Sequence, residues 1–261
     1  MKYATFLAGN AEWVLHEGIG PEGKLLGSIK GPPTLIDFSM TNAAALWVCC
    51  TPDDSKGSFL QRIGLPGLAV EESVECKKRI TAISASPDGQ RIVAVAQISG
   101  QGPTLVIWDG EDWSALNNEV TPDVSSRVAW IDDQSLVFES IGRCLSVFEL
   151  GTGKTTSGPK GQSPAAAPLV NRWYAVQEGR VNEFVVAGNI KDSGVSPSGF
   201  DFGVATSLRT TLDGEVVTST EPRFWFGNRT YIQQRNQKRI PVQAEAHVVC
   251  AVLGPFESST S

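Results

Sequence analysis

The chain has 261 residues, of which 41% are hydrophobic and 19% are charged, so it can bury a sizeable core. Its formal net charge of −6 argues against a general affinity for nucleic acid or for an anionic membrane. No segment approaches the roughly 20 apolar residues of a membrane helix, and the N-terminal apolar run is too short for a secretion signal. We therefore expect a cytoplasmic protein.

Short β-rich segments, bounded by Gly, Pro, Asn or Asp, run along the chain. They are rich in Val, Ile, Thr and aromatic residues, which favour pleated and half-buried surfaces. The clearest are residues 91–98, 104–110, 135–140, 143–150, 172–179 and 182–188. No window shows a capped helix with twelve periodic residues. The sequence predicts an all-β protein.

A strand, a tight turn and a second strand recur along the chain. The turn residues are Asn10, Thr41, Asp88, Asp133, Asn171 and Asn228. Asp, Asn and Gly accept tight-turn dihedrals, and Asp and Asn also bond their own backbone. Asp88 and Asp133 are 45 residues apart, and Asp133 and Asn171 are 38 apart. These steps are close to the period of about 40–45 residues of a four-stranded propeller blade.

Two stretches carry a resemblance to WD-repeat propellers. SASPDGQRIVAVA (84–96) and the following TLVIWDGEDW resemble one blade, with Trp108-Asp109 as the dipeptide that ends the third strand. LSVFELGTGK (145–154) resembles the same strand end of the next blade, with Phe148-Glu149 in place of Trp-Asp. The Gly-His pair typical of the family is missing.

This resemblance is clear over about residues 78–188 and identifies the chain as a degenerate WD40-like protein. It implies a radial β-propeller whose faces and central channel bind partners, usually other proteins. Propellers of the TolB-like and lactonase-like kinds fit as alternatives.

The six turns predict one domain over residues 1–254, a β-propeller of six four-stranded blades. Seven blades are the alternative, if Asp213-Gly214 marks a further weak blade. Because an open ring exposes a sheet edge, we expect the strand in residues 246–253 to pair with residues 3–8 and close the ring. Residues 255–261 are predicted to be a short polar tail.

Two motifs resemble nucleotide-binding loops. Gly153-Lys154-Thr155 looks like the end of a phosphate-binding loop, but the first Gly of that motif is replaced by Phe148 and no helix is predicted to follow. Residues 18–23, GIGPEG, match the dinucleotide pattern, but a short strand follows them instead of a helix. We interpret both motifs as turns.

A basic and aromatic stretch at residues 222–240 contains what we name the predicted partner site, Arg229, Tyr231, Arg235 and Lys238. Arg and aromatic side chains are favoured anchors of protein interfaces. Interleaved cations and rings can also bind single-stranded nucleic acid, but the net charge of −6 argues against that function. A solvated turn with inward-packing aromatics is the third interpretation.

Catalysis finds little support. His16 and His247 lie in predicted strands, away from the loop position that a Ser-His-Asp site needs. Acidic turn residues, namely Asp53-Asp54, Asp132-Asp133 and Asp201, could hold a metal if they converged. The five cysteines lack paired-ligand spacing, so reduced and mostly buried thiols are expected.

The sequence thus predicts a non-catalytic scaffold for protein–protein interaction, with no cofactor and no metal. The predicted partners are one or more proteins, and the chain could belong to a larger complex with them. The alternatives are a metal-dependent propeller hydrolase of the lactonase-like kind and a ligand-binding propeller.

Overall fold

The structure of the protein is a computed structural model that describes residues 3–8, 12–19, 23–30, 35–41, 45–52, 57–65, 67–97, 100–116, 120–185, 190, 194–223, 227–242 and 249–255. The regular elements in these ranges are 23 β strands and a 3₁₀ helix at Pro168–Val170. No helix in the described ranges has the length and apolar character needed to cross a membrane. The prediction of an all-β protein is confirmed.

The first half of the chain forms eleven short strands. The first three are β1 (Tyr3–Ala8), β2 (Glu12–Glu17) and β3 (Lys24–Lys30). The next four are β4 (Leu35–Met40), β5 (Ala45–Cys50), β6 (Ser58–Gly64) and β7 (Ala69–Cys76). Then follow β8 (Arg79–Ala85), β9 (Ile92–Gln97), β10 (Thr104–Trp108) and β11 (Trp113–Ala115).

The second half continues in the same way. The next four strands are β12 (Val128–Trp130), β13 (Ser135–Ser140), β14 (Cys144–Glu149) and β15 (Lys154–Lys160). Three more are β16 (Gln162–Ala167), β17 (Arg172–Gln177) and β18 (Arg180–Val185). The last five are β19 (Ser207–Thr210), β20 (Val216–Arg223), β21 (Gly227–Gln234), β22 (Ile240–Pro241) and β23 (Val249–Pro255).

The described strands form five four-stranded blades and one three-stranded sheet. The blades are β23-β1-β2-β3, β4-β5-β6-β7, β8-β9-β10-β11, β12-β13-β14-β15 and β19-β20-β21-β22, and the three-stranded sheet is β16-β17-β18. Each pairing within them is antiparallel, and all except that of β1 with β23 join strands consecutive in the chain. The β-propeller prediction is confirmed.

The predicted number of blades is wrong: five blades are four-stranded, not six or seven. The sheet of β16, β17 and β18 has no fourth strand among the described residues, which add to it only an isolated bridge between Glu183 and Val195. Asp213-Gly214 marks no extra blade, because it lies in the turn between β19 and β20. Asn228, which we predicted to be a blade turn, lies inside β21.

The turn around Asp213 repeats the turn around Asp88. Asp88 accepts a hydrogen bond from the Ser86 hydroxyl, as Asp213 does from Thr211. In both turns the next residue is a glycine with positive φ, 74° at Gly89 and 70° after Asp213. The Ser/Thr-x-Asp-Gly pattern therefore marks the link between the first two strands of two blades.

Hydrophobic clusters fill the space between neighbouring sheets. Trp47 and Trp108, from adjacent blades, meet edge to face with ring centroids 5.4 Å apart. Trp130 packs with Val95 in the next cluster, and Tyr174 packs with Leu208 further along the chain. Because each sheet buries its faces against its neighbours, the stability of the propeller rests on the contacts between sheets.

The two terminal strands pair with each other. β23 runs antiparallel to β1, with Phe6 opposite Ala251 and Ala8 opposite Val249, and it also contacts β19 and β20. Closure of the ring through this pairing stays a prediction. Pro255 belongs to β23, one residue beyond the predicted domain end, and the rest of the predicted tail, 256–261, lies outside the described residues.

Candidate functional site

The first strands of five sheets surround a cavity on the propeller axis. β4, β8, β12, β16 and β19 contact one another in that order and line a cavity of about 100 Å³. We name it the channel cavity. Most of the residues that line it are apolar, and its charged residues are Asp37, Arg127 and Arg209. It therefore combines an apolar wall with a few convergent polar groups, which is the usual make-up of a small-ligand site.

Side-chain oxygens on the first strand of one sheet accept hydrogen bonds from backbone amides on the first strand of the next sheet. Asp37 Oδ2 on β4 accepts a hydrogen bond from the Ile83 amide on β8 at 2.9 Å. Ser39 Oγ accepts one from the Ala85 amide at 2.8 Å. Since these amides face a neighbouring sheet, the two bonds satisfy donors that a blade cannot satisfy alone.

The same arrangement recurs further along the chain. Ser84 Oγ on β8 accepts a bond from the Trp130 amide at 3.2 Å, and Ser163 Oγ on β16 accepts one from the Leu208 amide at 3.1 Å. Donor and acceptor are 46 and 45 residues apart, one blade period. Sequence reasoning missed these residues, although a hydroxyl or carboxyl residue recurring in the first strands was a signal that could have found them.

Three charged side chains meet in the channel cavity. Arg209 on β19 bonds Asp37 Oδ1 at 2.5 Å through Nη2 and the Phe38 carbonyl at 3.1 Å through Nη1. Its guanidinium lies over the Phe38 ring, 3.8 Å from the centroid. Arg127 is further from Asp37, with a closest N···O distance of 3.7 Å. Arg209 is therefore fixed in place, whereas the ion pair of Arg127 with Asp37 is long and the charge of Glu139 also attracts Arg127.

The pKa values follow from this arrangement. Burial by itself raises the pKa of Asp37, but the charges of Arg209 and Arg127, with hydrogen bonds from Arg209 and Ile83, lower it overall below 3.8. The charge of Arg209, together with burial, lowers the pKa of Arg127 to about 10. Burial raises the pKa of Glu139 behind them. At neutral pH, the cavity wall carries two cations and one carboxylate.

Part of the predicted partner site comes together on β21. Arg229 and Tyr231 are two residues apart on this strand, and the guanidinium of Arg229 lies 5.8 Å from the Tyr231 ring. Arg239, which we had not predicted, is closer to the ring at 4.6 Å and forms an ion pair with Glu221 at 2.6 Å. The Tyr231 ring is thus flanked by two cations.

The other two residues of the predicted partner site follow the end of β21, and Lys238 directly precedes Arg239. Lys238 is exposed in the turn between β21 and β22. Arg235 is held internally, because its guanidinium bonds Glu215, Ser198, Gly214 and Tyr174 and only 15% of its side chain is exposed. The role of these residues in partner binding stays a prediction. The aromatic residues 224–226 beside them lie outside the described residues.

Of the two motifs that resemble nucleotide-binding loops, the structure describes Gly153-Lys154-Thr155 in full and residues 18–23 only in part. Residues 154–160 are strand β15, so no helix follows Gly153-Lys154, as predicted. Without a helix N-terminus, no array of free amides is aimed at a phosphate. In the second motif, residues 20–22 lie outside the described residues.

We expect Lys154→Ala to change the free energy of unfolding by no more than about 0.5 kcal/mol, since the side chain is exposed. Titration calorimetry of ATP and GTP against the unmodified protein should show no binding heat. Micromolar binding that disappears in Lys154→Ala would contradict the interpretation as a turn.

The predicted acidic and histidine candidates do not gather in the described part of the chain. Asp132 accepts a hydrogen bond from the Gln134 amide at 2.8 Å in its own turn, and Asp201 is exposed after β18. His16 Nδ1 is 3.2 Å from the Gly23 carbonyl. Within the described ranges, no three His, Cys, Asp or Glu side chains form a group that could hold a metal. Asp53-Asp54 and His247 lie outside those ranges.

The described cysteine side chains are free thiols. Cys49, Cys50 and Cys76 are buried, and Cys144 is partly exposed. Burial raises the pKa of Cys50 to about 11 and also raises that of Cys49 and of Cys76. These thiols are therefore poor nucleophiles at neutral pH.

The comparisons with known proteins support the fold. No family model matches the chain, and no curated protein sequence matches it. The chain is similar to the crystal structure of TolB from Acinetobacter baumannii, with a TM-score of 0.67 and 15% sequence identity. The similarity covers 97% of this chain but 66% of the TolB chain, so this chain spans slightly less than two thirds of its length. At this identity the likeness shows a β-propeller fold alone, and the resemblance to WD repeats is not confirmed.

Proposed function

We propose that the protein is a non-catalytic scaffold that binds a protein partner through the Tyr231 surface, which we define as Arg229, Tyr231, Lys238 and Arg239. The observation that carries this proposal is the Tyr231 ring with guanidinium groups 5.8 Å and 4.6 Å from its centroid. Tyr and Arg are the residues most enriched among the energetic anchors of interfaces. Acidic and aromatic side chains on the partner would complement this surface.

The order of this surface supports the proposal. Arg239 is held by Glu221, and Gly203 donates a second hydrogen bond to the same carboxylate at 2.9 Å. Side chains that are fixed before binding lose little conformational entropy when the partner arrives. The free thiols support a reducing compartment, and we propose the cytoplasm as the setting.

A photo-crosslinking amino acid in place of Tyr231 tests the proposal directly. Irradiation in cells of the source organism, followed by mass spectrometry, should join the chain to one predominant protein. A crosslinker at Ile141, which is exposed on the turn between β13 and β14, is the control for general surface contact. The same set of proteins from both positions would contradict the proposal.

Charge reversal provides the matched variants. We expect Lys238→Glu and Arg229→Glu each to reduce capture of the crosslinked partner about tenfold or more. Lys238→Glu should leave the free energy of unfolding within about 0.5 kcal/mol, because Lys238 is exposed. Arg235 is a poor choice for this test, since reversal there breaks internal bonds to Glu215 and Tyr174. Unchanged capture by both variants would rule out this surface.

A further inference from the structure

The guanidinium of Arg127 has unused hydrogen-bonding capacity. Among the described residues its recorded partner is Asp37 at 3.7 Å, which is beyond hydrogen-bond distance. Arg209, in contrast, donates to Asp37 and to the Phe38 carbonyl. Arginine carries five N–H donors, and no nitrogen of Arg127 is among the described buried side-chain atoms that lack a partner, so these donors remain open to a ligand.

Arg127 is also accessible from the channel cavity. It lines the cavity, and 31% of its side chain is exposed, whereas Asp37 is only 5% exposed. A molecule that enters the cavity therefore reaches the guanidinium donors while the Asp37 carboxylate stays covered. Repulsion from the neighbouring guanidinium of Arg209 lowers the pKa of Arg127, and the charges of Asp37 and Glu139 offset part of this effect.

The apolar residues that line the cavity determine which chemical group can be attached to an anion at Arg127. Phe38, Ile83, Val128 and Leu208 line the same cavity, and its volume is about 100 Å³. This volume admits a small anionic group with a short apolar stem, whereas a larger carrier has to extend out of the cavity. The wall itself holds two guanidinium groups and one carboxylate, and the charge of Glu139 behind the wall also acts on Arg127.

We propose that the channel cavity binds a carboxylate on a short apolar stem, with Arg127 as the main ligand and Arg209 as the second. The planar fork of a guanidinium matches the two oxygens of a carboxylate, and the charge strengthens both hydrogen bonds. The source is either a free short-chain acid or the C-terminal carboxylate of a polypeptide that ends in an apolar residue. The cavity and the Tyr231 surface use different residues, so this proposal does not depend on the proposed function.

Calorimetric titration of the 261-residue protein with sodium butyrate tests the proposal. Butyramide, which has the same shape without the charge, is the ligand control, and sodium chloride at equal ionic strength controls for salt. We expect butyrate to bind at concentrations up to about 10 mM, and butyramide to bind at least about tenfold more weakly. Binding of both molecules with equal affinity overturns the proposal.

Variants of Arg127 link binding to the cavity. Arg127→Gln should weaken butyrate binding about tenfold or more, and Arg127→Lys should fall between Arg127→Gln and the unmodified protein, because it keeps the charge without the fork. Arg180→Gln, an exposed position on β18, is the matched control and should bind butyrate normally. A ligand-free thermal melt of each variant verifies folding. Undiminished binding by Arg127→Gln overturns the proposal.

A second titration, with peptides, distinguishes a free short-chain acid from a polypeptide C terminus as the source of the carboxylate. The tripeptide Gly-Ala-Val with a free C terminus is compared with the same peptide ending in an amide. Binding of the free peptide, lost on amidation and in Arg127→Gln, supports a polypeptide terminus as the source. Binding of butyrate without the peptide supports a free acid. Failure of both to bind at about 10 mM overturns the proposal.

Discussion

Truncation of the chain before Ala246 is expected to lower the free energy of unfolding by about 4 kcal/mol or more. The truncation removes β23, which pairs along β1 and contacts β19 and β20. Each ladder hydrogen bond contributes about 1 kcal/mol and each buried aliphatic side chain about 2 kcal/mol, so losing a whole strand far exceeds a surface change. Thermal melting with size-exclusion chromatography measures the effect.

Deletion of residues 1–8 is expected to have a similar effect, because it removes β1, the partner strand of β23. This deletion discriminates between folds: an open arrangement of two sandwich domains would not couple the two ends. Truncation after Phe256 is the control and should leave the melting temperature unchanged, since β23 ends at Pro255. A monomer that lacks either terminal strand and still melts cooperatively at the original temperature contradicts closure of the ring.

Substitution of Asp37 by Ala is expected to lower the free energy of unfolding by about 3–5 kcal/mol, the usual cost of removing one partner of a buried ion pair. The carboxylate accepts bonds from Arg209 and from the Ile83 amide, and its loss leaves both donors unpaired next to Arg127. Urea denaturation at neutral pH measures the change. Asp133→Ala, at an exposed turn position, is the control and should stay within about 0.5 kcal/mol.

The Asp37 contribution should also depend on pH in a defined direction. Its two arginine neighbours hold its pKa in the folded protein below the ordinary value of an aspartate, which is about 3.9 in an unfolded chain. The contribution is therefore fully present well above the unfolded pKa and is lost as the pH falls through the lower pKa of the folded state. The difference in the free energy of unfolding between the unmodified protein and Asp37→Asn should shrink as the pH falls below about 3.9, the pKa of Asp in the unfolded chain. A difference that stays constant down to the acid transition would contradict the ion-pair account.

Local features of the fold could be read from the sequence because their causes are local. Strand alternation and turn chemistry depend on residues a few positions apart, so the Asp88 turn, the Thr41 turn and the absence of a helix after Gly153 were predicted. Thr41 bonds Ala45 across its turn at 3.0 Å, as a turn anchor should. The same reasoning failed at Asn228, because an Asn can also lie inside a strand and no local signal separates the two cases.

The partner and cavity residues show where sequence reasoning ends. The sequence by itself determined an all-β chain with blade-sized repeats, and it marked Arg229 and Tyr231 as members of one basic and aromatic stretch. Only the tertiary structure decided that Arg235 bonds Tyr174, 61 positions away, and that Arg209 reaches Asp37, 172 positions away. Such contacts form only when separate sheets pack around one axis. The local pattern of charge and hydropathy does not determine which sheets will place their first strands next to each other. The channel cavity is therefore a property of the assembled propeller, whereas its strands and turns are properties of the sequence.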